Sequence, residues 1–292
     1  MRSLGAQLPK YITIAGQTFA GQLDNSGKYW LEDGLAGWYD GSSNRVSVDP
    51  IPGQHGGFRP VTTWLNPRHI EFNGVFVGPD DAAAESWARS WLSSLSARGG
   101  FDVIVTDEVR TLTARCWVEG NPLGKRAGRG GFEFSLPLVA PDPILYGPAR
   151  VVSKPAAYTV ADGLQYPLQY PLSYGAMTAA SLSGYLQLTN AGTVDVYPWF
   201  RAAGPIATGF SITSDSYVVT FSRALAAGEE VVFGSPAGGR AILQDGSDVS
   251  LFLTQAQWAA VPAGGQRGFV FSPLGSAVGG SFIEATIRDG WL

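Results

Sequence analysis

The sequence predicts an α+β first half followed by an all-β second half, and three observations carry that prediction. A single amphipathic stretch of helical period stands in the first half, short segments of alternating polarity fill most of the remainder, and Gly/Pro-rich turns punctuate them. With 38 glycines, 19 prolines and only 15% charged residues in 292, the composition suits a turn-rich β protein better than a helical bundle. At roughly 100–200 residues per domain the length favours two domains. The Pro/Gly-rich segment Ala140 to Pro148 divides them into 1–146 and 147–292.

The helix is expected from Asp80 to Arg98, opened by Pro79 and two aspartates at the positive end of the helix dipole and closed by Gly99-Gly100. Trp87, Trp91 and Leu95 recur every fourth residue beside Ala84, Ala88 and Leu92, with Arg89 and Ser93 opposite, so the helix lies on a sheet. Before it, Asn73-Gly74 between two apolar alternating runs signals a type I′ hairpin. After it, antiparallel strands fit Asp102 to Thr106, Thr111 to Val118 and Phe132 to Val139. In the second half the run from Tyr166 to Tyr174 alternates Tyr and Leu with Pro, Gln and Ser. Its prolines, four apart, remove donors from one edge, which makes it an edge strand or an extended arm. Further strands fit Gly184 to Leu188, Tyr197 to Ala202, Tyr217 to Phe221, Glu230 to Phe233, Val249 to Leu253, Gly268 to Phe271 and Phe282 to Arg288, a β-sandwich pattern.

Twenty basic against 24 acidic residues leave a net charge of -4, so no strong attraction to nucleic acid or an anionic membrane is expected. Residues 1–20 lack the apolar core of a secretory signal, and the longest charge-free stretch, Gly163 to Val194, is broken by prolines and cannot insert in a membrane. Cys116 is the only cysteine, which excludes an intrachain disulfide. It sits in an alternating strand as a small apolar residue. His55 and His69 fall in different segments with no metal-ligand spacing, so no metal or cofactor is expected. There is no G-x-S-x-G and no phosphate loop, and Gly128-Arg129-Gly130-Gly131 lacks the third glycine of a dinucleotide fingerprint. Glu71, Glu119, Glu133 and Glu284 fall in or beside strands and read as the polar faces of half-exposed sheets; Asp245 to Asp248 reads as a tight turn. No enzyme is expected.

Two surface features remain. Lys125, Arg126 and Arg129 form a basic hairpin loop, a candidate contact with an acidic neighbour or another subunit. Trp199 and Trp258 are candidate weak glycan contacts. Trp199 shares a strand face with Arg201, opposite Phe200, and is expected outside; Trp258 precedes a Pro/Gly turn and is expected to plug the end of the sandwich.

Several of these stretches, in this order, resemble the distal tail proteins of long-tailed, non-contractile bacteriophages, especially phages of actinobacteria. They are Gly37-Trp38-Tyr39-Asp40 followed by Arg45, Arg68 to Gly74, Ala140-Pro141-Asp142-Pro143 with Tyr146, and the Tyr166-Pro167-Leu168-Gln169-Tyr170-Pro171-Leu172 repeat. Asn190-Ala191-Gly192, Tyr197 to Arg201, Gly204-Pro205 and Ile287 to Trp291 follow. The resemblance implies a homohexameric ring at the tail tip, formed by residues 1–146, with 147–292 as a galectin-like or carbohydrate-binding-module-like sandwich on its periphery. It implies a virion protein assembled in the host cytoplasm, leaving a channel for DNA without reading its sequence. The implied partners are the tail tube protein, the tail-associated tip protein and the tape measure protein. The rival reading is a carbohydrate-binding module that recognises a host cell-wall glycan.

Overall fold

The computed structural model describes residues 10–21, 27–46, 48–55, 57, 64–96, 99–155, 184–234, 238–275 and 280–292. The Tyr166 to Tyr174 run lies outside them. The chain divides into two compact units, Met1–Pro148 with Trp291–Leu292, and Ala149–Gly290.

The first unit is built on strands β1 (Tyr11–Ile14), β2 (Gln17–Ala20), β3 (Lys28–Ala36), β6 (Arg68–Val77), β7 (Phe101–Thr106), β8 (Thr111–Val118) and β10 (Gly131–Ala140). Between β3 and β6 a separate short ladder joins β4 (Asn44–Arg45) to β5 (Trp64–Leu65). The main sheet runs β8-β7-β1-β2-β3-β6-β10, and β10 pairs back onto β8 through Leu138 and Val139 opposite Val118 and Trp117, so the sheet closes on itself. Among the described residues its pairings are antiparallel except that of β2 with β3. Closure removes the two edges that an open sheet would leave unpaired. Strand β9 (Leu123–Arg126) extends the sheet beyond β10, and β11 (Leu145–Tyr146) extends it beyond β8. Trp291 returns to this unit at the chain end, under the guanidinium of Arg110 at 4.0 Å.

Helix α1 spans Asp81–Ser96. Its cap is Asp80, whose carboxylate accepts from the Ala83 N–H at 2.7 Å. Ala84, Ala88, Trp91, Leu92 and Leu95 enter the same core as Phe19, Phe72 and Phe134. Trp91 meets Phe19 and Phe134 at 5.3 Å, and Trp87 stacks on Phe76 at 4.2 Å. The tryptophan pair is therefore packing material. Cys116 is fully buried on β8, and burial pushes its thiol up to about 12.

The expected hairpin at Asn73-Gly74 is not there. Strand β6 passes straight through both residues, with Asn73 opposite Ser135 and Gly74 opposite Phe134 on β10. Glycine serves space at this position: a Cβ on Gly74 would stand 2.7 Å from the Phe134 ring and 3.1 Å from that of Phe72, both buried.

The second unit is two five-stranded sheets. One orders β12 (Arg150–Pro155), β21 (Phe282–Ile287), β14 (Trp199–Ala203), β17 (Glu230–Gly234) and β18 (Ala241–Leu243); the other orders β13 (Tyr185–Thr189), β20 (Gln266–Pro273), β15 (Phe210–Ser214), β16 (Tyr217–Phe221) and β19 (Leu253–Ala256). Their inner faces meet through phenylalanines, with Phe200 5.3 Å from Phe269 and Phe210 5.4 Å from Phe233. The strand expected over Val249 to Leu253 begins instead as a 3-10 turn, Ser250–Phe252, because the Asp248 carboxylate accepts the Ser250 N–H at 3.0 Å and turns the chain before β19 starts.

Two outcomes follow. Gly74→Ala is expected to cost about 1–3 kcal/mol by overpacking, measured by urea unfolding, whereas Gly41→Ala, with nothing within 4 Å of the added carbon, leaves stability unchanged. An equal effect at both positions contradicts the packing account. Cys116 is expected to resist iodoacetamide at pH 8 in the native protein and to react once the chain is unfolded; alkylation at the free-thiol rate in native buffer contradicts its burial.

Candidate structural knots and surfaces

Several of the sequence segments that carry the resemblance meet at two buried polar knots. In the first unit the knot is Arg68, 3% exposed at the start of β6. Its Nε donates to the Pro143 carbonyl at 2.9 Å, and Nη1 donates to the carbonyls of Gly37 and Trp38 at 3.0 Å and of Asp40 at 2.5 Å. Burial lowers its pKa and the charge of Asp40 opposes that shift, so the guanidinium stays charged. Asp40 closes its own turn by accepting the Gly37 N–H at 3.2 Å, and Asp142 accepts the Ile144 N–H and the Tyr146 hydroxyl. Two segments, lying up to 31 residues before Arg68 and 75 residues after it in the chain, are tied to β6 by one planar fork.

Asn190 does the same in the second unit. Its Nδ2 donates to the carbonyls of Val194 at 2.7 Å and of Val261 and Pro262 at 3.3 Å, while Oδ1 accepts the N–H groups of Gly192 and Gly290. A Cβ on Gly192 would stand 1.9 Å from the Gly290 carbonyl oxygen, so position 192 needs bare backbone. Asp289 accepts from the Ala191 N–H and pairs with Arg150. Polar side chains here close turns.

The candidate basic loop divides. Lys125 and Arg126 lie on strand β9, ordered against β10, with Lys125 2.9 Å from Glu133 and Arg126 2.6 Å from Glu85 on α1. Hydrogen bonds from Arg126 and Arg89 hold the Glu85 carboxyl below its ordinary range. Arg129 sits at the exposed turn between β9 and β10 and has no ion-pair partner among the described residues. Beside β9 lies an open cleft of about 520 Å³, lined by Leu31, Asn73, Leu123 and Phe134 among others.

Trp199 lies on the outer face of its sheet, 38% exposed, with Phe200 turned inward. Its neighbour on that face, Arg201, is held between Glu230 at 3.0 Å and Glu284 at 2.8 Å. Trp258 is half-buried against Phe233 and closes a void of about 10 Å³ inside the sandwich, too small for a water.

Among the described residues, the carboxylates singled out in the sequence are engaged in local contacts. Glu119 holds His69 at 2.6 Å, Glu71 accepts from Ser135 at 3.0 Å, and Glu133 and Glu284 sit in the ion pairs above. Asp245 closes a turn by accepting the Ser247 N–H at 2.9 Å. Among the described residues no cluster of His, Cys, Asp and Glu could hold a metal ion, and no helix is long and apolar enough to cross a membrane. Sequence reasoning passed over Arg68 and Asn190 as single residues, although both stand inside the segments that carry the resemblance.

No family model and no curated protein matches the sequence. Solved structures do. The SPP1 Dit protein, described as a paradigm of the hub adsorption apparatus in phages infecting Gram-positive bacteria, aligns over 95% of this chain and 98% of its own at TM-score 0.60 and 16% identity. The fold is Dit-like. The baseplate of phage P2 in its activated conformation aligns over 91% of this chain with calcium (TM-score 0.54, 98% of that chain) and 89% with strontium (TM-score 0.51, 96% of that chain), each at 9% identity. The likeness spans the residues of both compact units, which among the described residues are mostly β with one α-helix.

Arg68→Met is expected to destabilise the first unit by about 3 kcal/mol or more, because buried carbonyls lose their donors. Arg68→Lys recovers less than half of that, since an ammonium lacks the fork. Urea unfolding checks both, and a loss under about 1 kcal/mol for Arg68→Met contradicts the knot.

Proposed function

We propose that this chain is a structural hub protein of a bacteriophage tail, acting through assembly and without catalysis. The observation that carries the reading is the Dit-like fold over 95% of the chain, in the absence of sequence similarity strong enough to impose it. On this reading six copies form a ring at the distal end of the tail, through residues 1–146, between the tail tube protein and the tail-associated tip protein, with the tape measure protein as a further neighbour. Residues 147–292 sit as a galectin-like sandwich on the periphery. The ring leaves a channel for DNA, and a chain of net charge -4 suits it, since a basic lumen would retain passing phosphates. Assembly takes place in the host cytoplasm and the protein remains in the virion.

Two features support a structural role over an enzymatic one. The buried thiol of Cys116 is held protonated, and the carboxylates on the sheet faces are spent on His69, Ser135, Lys125 and Arg201. Of the basic loop, Arg129 is the residue left to reach an acidic neighbour, and the exposed edge strand β9 is the surface that would meet a second copy. Negative-stain imaging and light scattering of the purified full chain, alone and mixed with tail tube protein, test the reading. Six-membered rings in either sample are expected. Monomers in both overturn it.

A further inference from the structure

Among the described residues, the strand positions on the outer face of the β13-β20-β15-β16-β19 sheet carry no carboxylate, amine or guanidinium. Its outward positions are Tyr, Gln, Thr, Ser, Val and Gly, and cross-strand register sets Tyr185, Val270 and Thr213 in one row with Gln187 opposite Gly268 in the next. The contrast with the other sheet is sharp, since that one spends its outer face on the Arg201, Glu230 and Glu284 cluster. Arg150, which bonds the Thr189 hydroxyl at the rim, is neutralised by Asp289.

Tyr185 is displayed in an unusual way on this face. A Cβ on Gly268 would stand 2.6 Å from the Tyr185 hydroxyl and 2.9 to 3.0 Å from two of its ring carbons, so the phenol end of the ring lies over bare glycine backbone. Gly268 has no left-handed φ, so its missing side chain serves the ring and not a turn. Tyr185 as a whole is 39% exposed. Alongside, Gln187 Nε2 donates to Gln266 Oε1 at 2.8 Å, which fixes both amides and leaves the Gln187 oxygen and the Gln266 amide N–H groups for a ligand.

The chemistry of the face selects among occupants. An ionised polymer would lose hydration here with no opposite charge to compensate. A protein partner needs an apolar centre, whereas Val270 and Val218 are separated by Thr213 in their row. A neutral sugar offers what the face lacks: an apolar C–H surface for an aromatic ring, and hydroxyls at its rim that both donate to and accept from amides. We infer that this face binds a neutral oligosaccharide, with one sugar stacked on Tyr185 and its hydroxyls bonded by Gln187 and Gln266. The site is separate from Trp199 and Trp258 and does not rest on ring formation.

Isothermal titration of the full chain with glucan, galactan and mannan oligosaccharides, and with an anionic polygalacturonate oligomer, tests the inference. At least one neutral series is expected to bind, and Tyr185→Ala and Gln266→Ala each weaken it about tenfold or more. Tyr185→Phe, which keeps the ring, and Trp199→Ala, on the other sheet, stay within about threefold of wild type. The thermal midpoint of each variant, and its ring formation, are compared with wild type so that loss of fold or of assembly is read separately. No binding by any neutral series at millimolar sugar, equal binding of the anionic oligomer, or full binding by Tyr185→Ala each overturns the inference. So does loss of a tail-protein contact in Tyr185→Ala without any sugar binding, which would assign the face to a protein.

Discussion

A single buried guanidinium sets the geometry of the first unit. Taking Arg68 out of water is costly, and among the described residues no carboxylate forms an ion pair with it. Backbone carbonyls from the turn after β3 and from the segment after β10 offset the cost, and each carbonyl in turn is one that burial would otherwise leave without a donor. The consequence is positional. Strand β6 begins at Arg68, β10 ends beside it at Ala140, and the turn that leaves β3 is fastened above both, so three strands of the closed sheet share one fixed point. Asn190 fixes its unit in the same manner with a neutral amide, joining the exit of β13, the turn before β20 and the glycine after β21. The segments of the chain that look most like motifs are thus anchors of backbone geometry, which explains why no reactive constellation forms around them.

Much of the secondary structure was legible from local physics. Helix α1 has its cap, its first-turn acid and its four-residue apolar repeat in one window, and these agree because each acts within a few residues. Strands β8 and β16 run over the residues their alternation indicates, and the inward Phe200 and outward Trp199 follow from the two-residue period. Long-range effects were not legible. Asn73-Gly74 has the chemistry of a tight turn, yet Phe134 from across the sheet needs the space that only glycine leaves, and the core overrides the turn. Strands β12, β15 and β18 were missed because they are short or flanked by turn residues, and become strands only by pairing with neighbours far along the chain. The closure of β10 onto β8 is likewise a tertiary fact with no local signature.

The surfaces show the same division. The clustering of basic residues among glycines marked Lys125, Arg126 and Arg129 as one basic loop, but strand pairing consumes two of the three by placing Glu133 across the ladder and Glu85 on the facing helix. The Tyr185 platform had no sequence signal, since it depends on Gly268 of a strand that is distant in the chain and adjacent in register. Among the described residues the buried polar side chains fasten turns, and the fold they hold is one shared with phage hub proteins over nearly the full length of the chain.

The proposed place at a phage tail tip is the central claim, and labelling reads it directly. On that proposal, gold-conjugated antibody raised against this chain, applied to intact virions from cells in which the chain is produced, is expected to mark only the distal end of the tail. Label along the tube, on the capsid, or nowhere on the particle while the protein is detected in the infected cell would contradict the account.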